Sequence, residues 1–135
     1  MAEPVTIGID IGTTSVKAVA ADRSGEVIAR ARIPHALFAR HAGELAHDAR
    51  AAWHDGPIAA LAEVMRDPAM TGRAVLAVQV AAMVPSLCAV DADGVPLGDG
   101  LLYGDQRGEG NRQGSNPSES GELGGHATRR ALDLA

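Results

Sequence analysis

The eight residues Asp10-Ile11-Gly12-Thr13-Thr14-Ser15-Val16-Lys17 hold one carboxylate, three hydroxyls, one glycine and one ammonium group between two apolar runs. Turns between strands ordinarily draw on Asn-Gly or Asp-Gly pairs, which supply positive φ. Hydroxyls in their place suit a bound anion. Backbone N–H groups of such a turn, converging on one side, form a concave anion site, and Thr13, Thr14 and Ser15 add side-chain donors to phosphate oxygens. Gly12 lets the backbone approach closely. Asp10, at the end of the first run, is placed to hold a magnesium ion through water, because Mg²⁺ prefers one or two carboxylates together with phosphate oxygens. Lys17 lies on the same strand face as Ser15 and offers a point charge to a phosphate. The competing reading is a plain hairpin with a solvated turn, in which Asp10 and Lys17 are ordinary exposed charges.

The flanking elements follow from periodicity. Val5, Ile7 and Ile9 alternate with Thr6, Gly8 and Asp10, as in a strand with one apolar face. Val16 to Ala21 predicts a second strand and Val27 to Ile33 a third, separated by the turn Asp22-Arg23-Ser24-Gly25. Strands joined this tightly are antiparallel neighbours. Pro34 closes the third, and a loop containing His35, His41 and His47 leads to Asp48 as an N-cap. Ala49 to Met65 predicts a helix that Gly56-Pro57 splits, with Asp55 capping the second piece. The aliphatic run Arg73 to Val80 reads as a strand covered on both faces, parallel to the first, and Ser86 to Val90 continues in the same manner. Asp91-Ala92-Asp93-Gly94 is a hairpin turn, followed by short extended pieces at Val95 to Leu97 and Gly100 to Tyr103. Residues 108–121 read as a mobile Gly/Ser/Asn-rich loop, and Leu123, Ala127, Ala131 and Leu134 place a helix at 122–135.

With 135 residues the chain has room for one domain. Its net charge of −5 provides no basic stripe for nucleic acid or anionic lipid. A single cysteine, Cys88, reads as a small buried hydrophobe in a reducing compartment. Neither an export signal nor an apolar tract of membrane-spanning length is apparent, so a cytoplasmic, soluble protein is expected. Histidines 35, 41, 47, 54 and 126 lack metal-ligand spacing and read as ordinary surface or core residues, with Trp53 as the anchor of its helix.

The stretch IGIDIGTTSVKAVAADRSGEVIARARI resembles the first phosphate motif of the FGGY carbohydrate kinases, within the sugar kinase, heat-shock chaperone and actin superfamily. AHDARAAW (46–53) is similar to that family's helix entry. VDADGVPLGDGLLYGDQR (90–107) is similar to its Asp-x-x-Gly-x-Pro-Leu hairpin and its Trp-x-Asp-x-Arg segment. The resemblance spans residues 5 to 107. It implies a ribonuclease-H-like (actin-like ATPase) α/β fold, a mixed sheet of three antiparallel strands followed by helix and parallel strand. By that resemblance residues 1–107 are the N-terminal part of the family's first domain. It also implies an ATP- and Mg²⁺-dependent kinase acting on a sugar or polyol.

Position by position, Asp10 matches the magnesium-associated aspartate, Gly12 to Ser15 the phosphate-cradling turn, and Lys17 the basic residue behind it. Tyr103 stands where a tryptophan lines the sugar pocket, and Asp105 and Arg107 match the polar pair beyond it. The family's Gly-Gln-Met-His-Gly sugar contact falls on Ala82, Met83, Val84, Pro85 and Ser86, a departure that leaves Met83 as the substrate-facing residue. The catalytic base and adenosine site of that family are expected beyond the chain end. The chain is thus expected to be inactive alone and to expose an apolar patch along Arg73 to Val80 through which it self-associates. The alternatives are a small nucleotide-binding interaction module and an inactive structural fragment.

Overall fold

The computed structural model describes residues 2–108. The expected loop at 108–121 and helix at 122–135 fall, but for Gly108, outside them. The chain divides into two units, Met1–Asp105 and Gln106–Ala135, and the architecture below belongs to the first.

Four strands, β1 (Glu3–Ile11), β2 (Ser15–Asp22), β3 (Val27–Pro34) and β5 (Arg73–Ala82), form one sheet in the order β3-β2-β1-β5. β1 to β3 are antiparallel neighbours and β5 runs parallel to β1. β4 (Ala46–His47) and β6 (Gly100–Leu101) form a separate antiparallel pair in which Ala46 faces Leu101 and His47 faces Gly100. This is the mixed sheet that the sequence implies, with a small second sheet added.

Alternation decides the faces. Ile7, Ile9 and Ile11 pair with Ala20, Ala18 and Val16, which pair in turn with Ala29, Ala31 and Ile33. That face is buried and carries the core. Its alanines are short enough for helix α1 (Gly56–Arg66) to lie close on β2 and β3, where Ala60 and Val64 are fully buried. Burial of each Ile or Val side chain here is worth about 1.5–3 kcal/mol. Thr6, Gly8, Asp10, Lys17 and Val19 occupy the opposite face and are exposed.

The helix does not split at Gly56-Pro57. Arg50–Asp55 forms a π-helical turn that runs directly into α1, and Asp55 keeps right-handed helical angles without capping anything. Its carboxylate instead meets His54 and Arg50. Pro57 is accommodated because it falls in the first turn of α1, where its missing N–H costs nothing. Asp48 does cap the entry: its Oδ1 accepts from Ala51 N–H at 2.9 Å, and its carbonyl accepts from Ala52.

Two further expectations are corrected. β5 is not covered on both faces but exposes the apolar patch expected along it: Leu76 is 63% exposed, and Val78 and Val80 are nearly half exposed, because α1 reaches β1 only weakly and β5 lies at the sheet edge. Ser86 to Val90 is not a strand. It makes only isolated bridges, Leu87 to Leu101 and Val90 to Pro96, so Cys88 is half-buried rather than in a core. The turns at Asp22 and Asp91 are as expected, each aspartate accepting backbone N–H groups ahead of a glycine at positive φ. No helix among the described residues is long and apolar enough to cross a membrane.

Gly56 has a packing reason. A Cβ there would stand 2.9 Å from Val16 Cγ2 and 3.1 Å from the Ala51 carbonyl. Helix propensity alone would have Gly56→Ala stabilise by about 1 kcal/mol; the contact with Val16 reverses the sign, and denaturant unfolding of the variant should show a loss of about 1–3 kcal/mol.

Candidate functional site

The turn between β1 and β2 is closed by Gly12 N–H donating to the Ser15 carbonyl at 3.1 Å, leaving Thr13-Thr14 as its tip. No residue of the turn has positive φ. Two-residue hairpins without left-handed residues splay their strands unless something holds them. Here tertiary partners do so. The Thr13 carbonyl accepts from His47 Nε2–H at 2.8 Å, and the Thr14 carbonyl accepts from His35 N–H at 3.1 Å. The Thr14 N–H shares its peptide plane with the held Thr13 carbonyl and so points away from His47, and the N–H groups of Thr13 and Thr14 donate to no acceptor among the described residues, which leaves them open to an anion.

The candidate residues around the tip are placed unequally. Thr13 and Thr14 are exposed, and Thr13 Oγ1 donates to Met83 Sδ at 3.2 Å. Ser15 is buried, at 3% exposure, so its hydroxyl does not join the exposed donors that the sequence places together. Gly12 is a close-approach position: a Cβ would stand 3.2 Å from the Ser15 carbonyl and 3.8 Å from Asp10 Oδ2. Asp10 and Lys17 face each other across β1 and β2 on the open face, and among the described residues neither enters an ion pair. Among the described residues no three His, Cys, Asp or Glu side chains gather as a metal cluster. One free carboxylate beside unpaired amides fits a hydrated magnesium ion carried on phosphate oxygens.

Met83, Ile11, Trp53, Ala82 and Ser86 line a cavity of about 190 Å³ beside the tip. Ser86 Oγ is buried there without a hydrogen-bond partner. Tyr103, 67% exposed, and Asp105 do not line it. Asp105 accepts from Leu45 N–H at 3.0 Å and so braces the segment before β4. Arg107 belongs to the second unit.

Spacing alone marks neither His47, read as an ordinary surface or core residue, nor Trp53, read as the anchor of its helix, as a partner of the turn. His47 is fully buried between the Thr13 carbonyl and the Trp53 indole, whose Nε1–H donates to His47 Nδ1 at 3.1 Å. An indole nitrogen can only donate, so Nδ1 carries no proton and Nε2 does. The available signal was the turn itself, whose central residues Thr13 and Thr14 are unsuited to positive φ, so that it needs outside partners. Burial, and secondarily the neighbouring His35 ring 4.5 Å away, push the His47 pKa below its ordinary 6.5, although the Thr13 contact opposes this. The unfolded chain therefore takes up a proton that the folded state resists. His47 costs no stability above pH 6.5, and stability falls as pH drops below that value. Urea midpoints between pH 7.5 and 5.5 should fall for the native chain, and His47→Gln should flatten the part of that fall owed to His47.

The sequence matches the FGGY family of carbohydrate kinases, N-terminal domain, over residues 5–116. It is 28% identical over 107 residues to a xylulose kinase of Staphylococcus epidermidis, covering 79% of this chain and 21% of that protein. In structure it is similar to xylulose kinase from Rhodospirillum rubrum, with TM-score 0.72, 27% identity and coverage of 84% of this chain and 24% of that one. Gluconate kinase from Lactobacillus acidophilus, at 20% identity, shares the fold with TM-score 0.73, covering 83% of this chain and 22% of its own. The chain thus spans about a fifth of the length of the relatives it matches. Matched over residues 5–116, the chain belongs to the FGGY family of carbohydrate kinases, of which it carries the N-terminal domain.

Proposed function

We propose that residues 10–17 bind the terminal phosphates of ATP and their Mg²⁺, and that the chain supplies this half of a kinase site acting on a sugar or polyol hydroxyl. The observation that carries the reading is the Thr13-Thr14 tip, with its carbonyls turned inward and its amides unpaired, one strand-end away from a carboxylate free of ion pairs. Main-chain amides supply donors that need no reorganisation when a phosphate arrives. Asp10 would hold the metal through water, and Lys17 would add a charge on the same face. When bound, the metal neutralises charge on the phosphate oxygens.

The cavity beside the tip is the acceptor site in this reading. Its wall is apolar apart from the unpartnered Ser86 hydroxyl and the Trp53 indole, so Ser86 is the natural partner for one substrate hydroxyl and Met83 packs against C–H groups. Two relatives at 27–28% identity are xylulose kinases, which makes a xylulose-like sugar the acceptor we expect. Tyr103 keeps the sugar-side role that the family resemblance implies, with Asp105 bound to the Leu45 N–H beside it, and the same role is proposed for Arg107. In this reading the base that takes the hydroxyl proton, the adenosine site and a second domain are what the family resemblance assigns to other residues.

Calorimetric titration of the chain with MgATP tests the phosphate site. Asp10→Asn should weaken MgATP binding about tenfold, the equivalent of one charge-assisted contact, and leave binding of metal-free nucleotide nearly unchanged. Nucleotide binding that ignores both Mg²⁺ and this substitution would overturn the reading. Supplied with ATP and xylulose, the 135-residue chain alone should release no ADP above background in a coupled assay. Turnover at ordinary kinase rates would place the base among these residues.

A further inference from the structure

We infer that His47 is a positioning residue for the anion-binding turn, acting with Trp53 as a relay that sets the direction of the peptide group between Thr13 and Thr14. The inference rests on the phosphate-binding reading for its purpose, and on geometry alone for its mechanism.

A peptide unit has two ends. Drawing the Thr13 carbonyl inward fixes the Thr14 N–H on the outer side of the same planar group. His47 does the drawing through Nε2–H at 2.8 Å. A free neutral imidazole exchanges its proton between the two nitrogens, and in the other tautomer Nε2 would face the carbonyl with a lone pair. Trp53 removes that choice, since its indole N–H occupies Nδ1 at 3.1 Å. The ring has no solvent exposure, and the His35 ring lies 4.5 Å from it, the backbone N–H of His35 holding the next carbonyl of the turn.

The relay is built in on three sides. Asp48, the residue after His47, caps the helical segment that carries Trp53, so the two rings are set by one local structure. His47 pairs with Gly100, where a Cβ would stand 2.3 Å from Trp53 Cη2. Any side chain at position 100 therefore displaces the indole. Glu44, buried three residues before His47, is held by Arg40, which also reaches Asp99 beside Gly100. These contacts fix the surroundings of the imidazole, and the turn has no left-handed residue to hold its own shape.

The test uses the ¹⁵N-labelled 135-residue chain. Without ligand at neutral pH, the His47 imidazole nitrogens should report a protonated Nε2 and a bare Nδ1. The opposite tautomer, or an imidazolium, would overturn the relay. Trp53→Phe should relax that preference and shift the Thr13 and Thr14 amide signals, as should Gly100→Ala. Both variants keep the imidazole, so they decide the matter even where His47→Ala does not fold. His47→Ala, where folded, should move the same two amides and weaken MgATP binding about tenfold, one hydrogen bond's worth. His47→Gln, whose amide can accept from Trp53 and donate to Thr13, should restore both. Amide signals that stay in place in the Trp53 and Gly100 variants would refute the inference. Failure of the native chain to respond to MgATP would refute the nucleotide reading alone, because the ligand-free spectra still judge the relay.

Discussion

The site depends on a turn that cannot hold itself. Thr13-Thr14 connects two antiparallel strands with no residue at positive φ, and unaided it would splay them. Its shape is imposed from below by the His47 ring and the His35 backbone, each taking one carbonyl. The segment from Pro34 to Asp55 reads as support for those two contacts. β4 exists to present His47, β6 contributes a glycine that leaves space for Trp53, and the Arg40–Glu44 pair ties the intervening loop. A polar ring with no solvent exposure is costly unless both nitrogens are satisfied, and here both are. The cost of burying His47 is offset by what it orders.

The sheet separates structure from chemistry by face. Ile7, Ile9 and Ile11 point to α1, which leaves Gly8 and Asp10 on the other side whatever else the chain does. Lys17 lies opposite Asp10, and Arg32 lies opposite Lys17 on β3. This row places two cations on the open face behind a single carboxylate, a field that favours an arriving polyphosphate and its metal together. Arg32 would not be singled out from spacing alone, since it becomes a neighbour only through the β2–β3 register.

What could be read from the sequence was what local pattern controls. Strict alternation fixed β1 to β3, the aspartate-glycine turns fell where Asp22 and Asp91 put them, and Asp48 capped its helix. The errors came where distant contacts outweigh local preference. Gly56-Pro57 looks like a break, yet Gly56 is there because Val16 presses on it, and Pro57 sits harmlessly in a first turn. Ser86 to Val90 has strand composition but no continuous partner strand. Ser15 belongs by type with the two threonines, and burial sets it apart. His47 carries no spacing signal, because its partners are 34 residues earlier and six residues later.

The juxtaposition of turn and cavity follows from one parallel pairing. β1 ends at Ile11 and β5 at Ala82, and these two residues are register partners, so the segments leaving them emerge side by side. One becomes the Gly12 to Ser15 turn, the other Met83 to Ser86, and Thr13 Oγ1 meets Met83 Sδ where they touch. In open α/β sheets ligands bind in the crevice outside the carboxyl ends of the strands, and the turn and the cavity meet at that edge here. The register itself is set by an irregularity between Val5 and Thr6, where Leu76 is passed over and Ala77 becomes the partner of Thr6. Without that bulge, Val78 and Val80 would exchange faces with Gln79, and the chain leaving β5 would arrive one residue out of step with the turn. A single extra residue near the start of the strand thus aligns the two halves of the site at its far end.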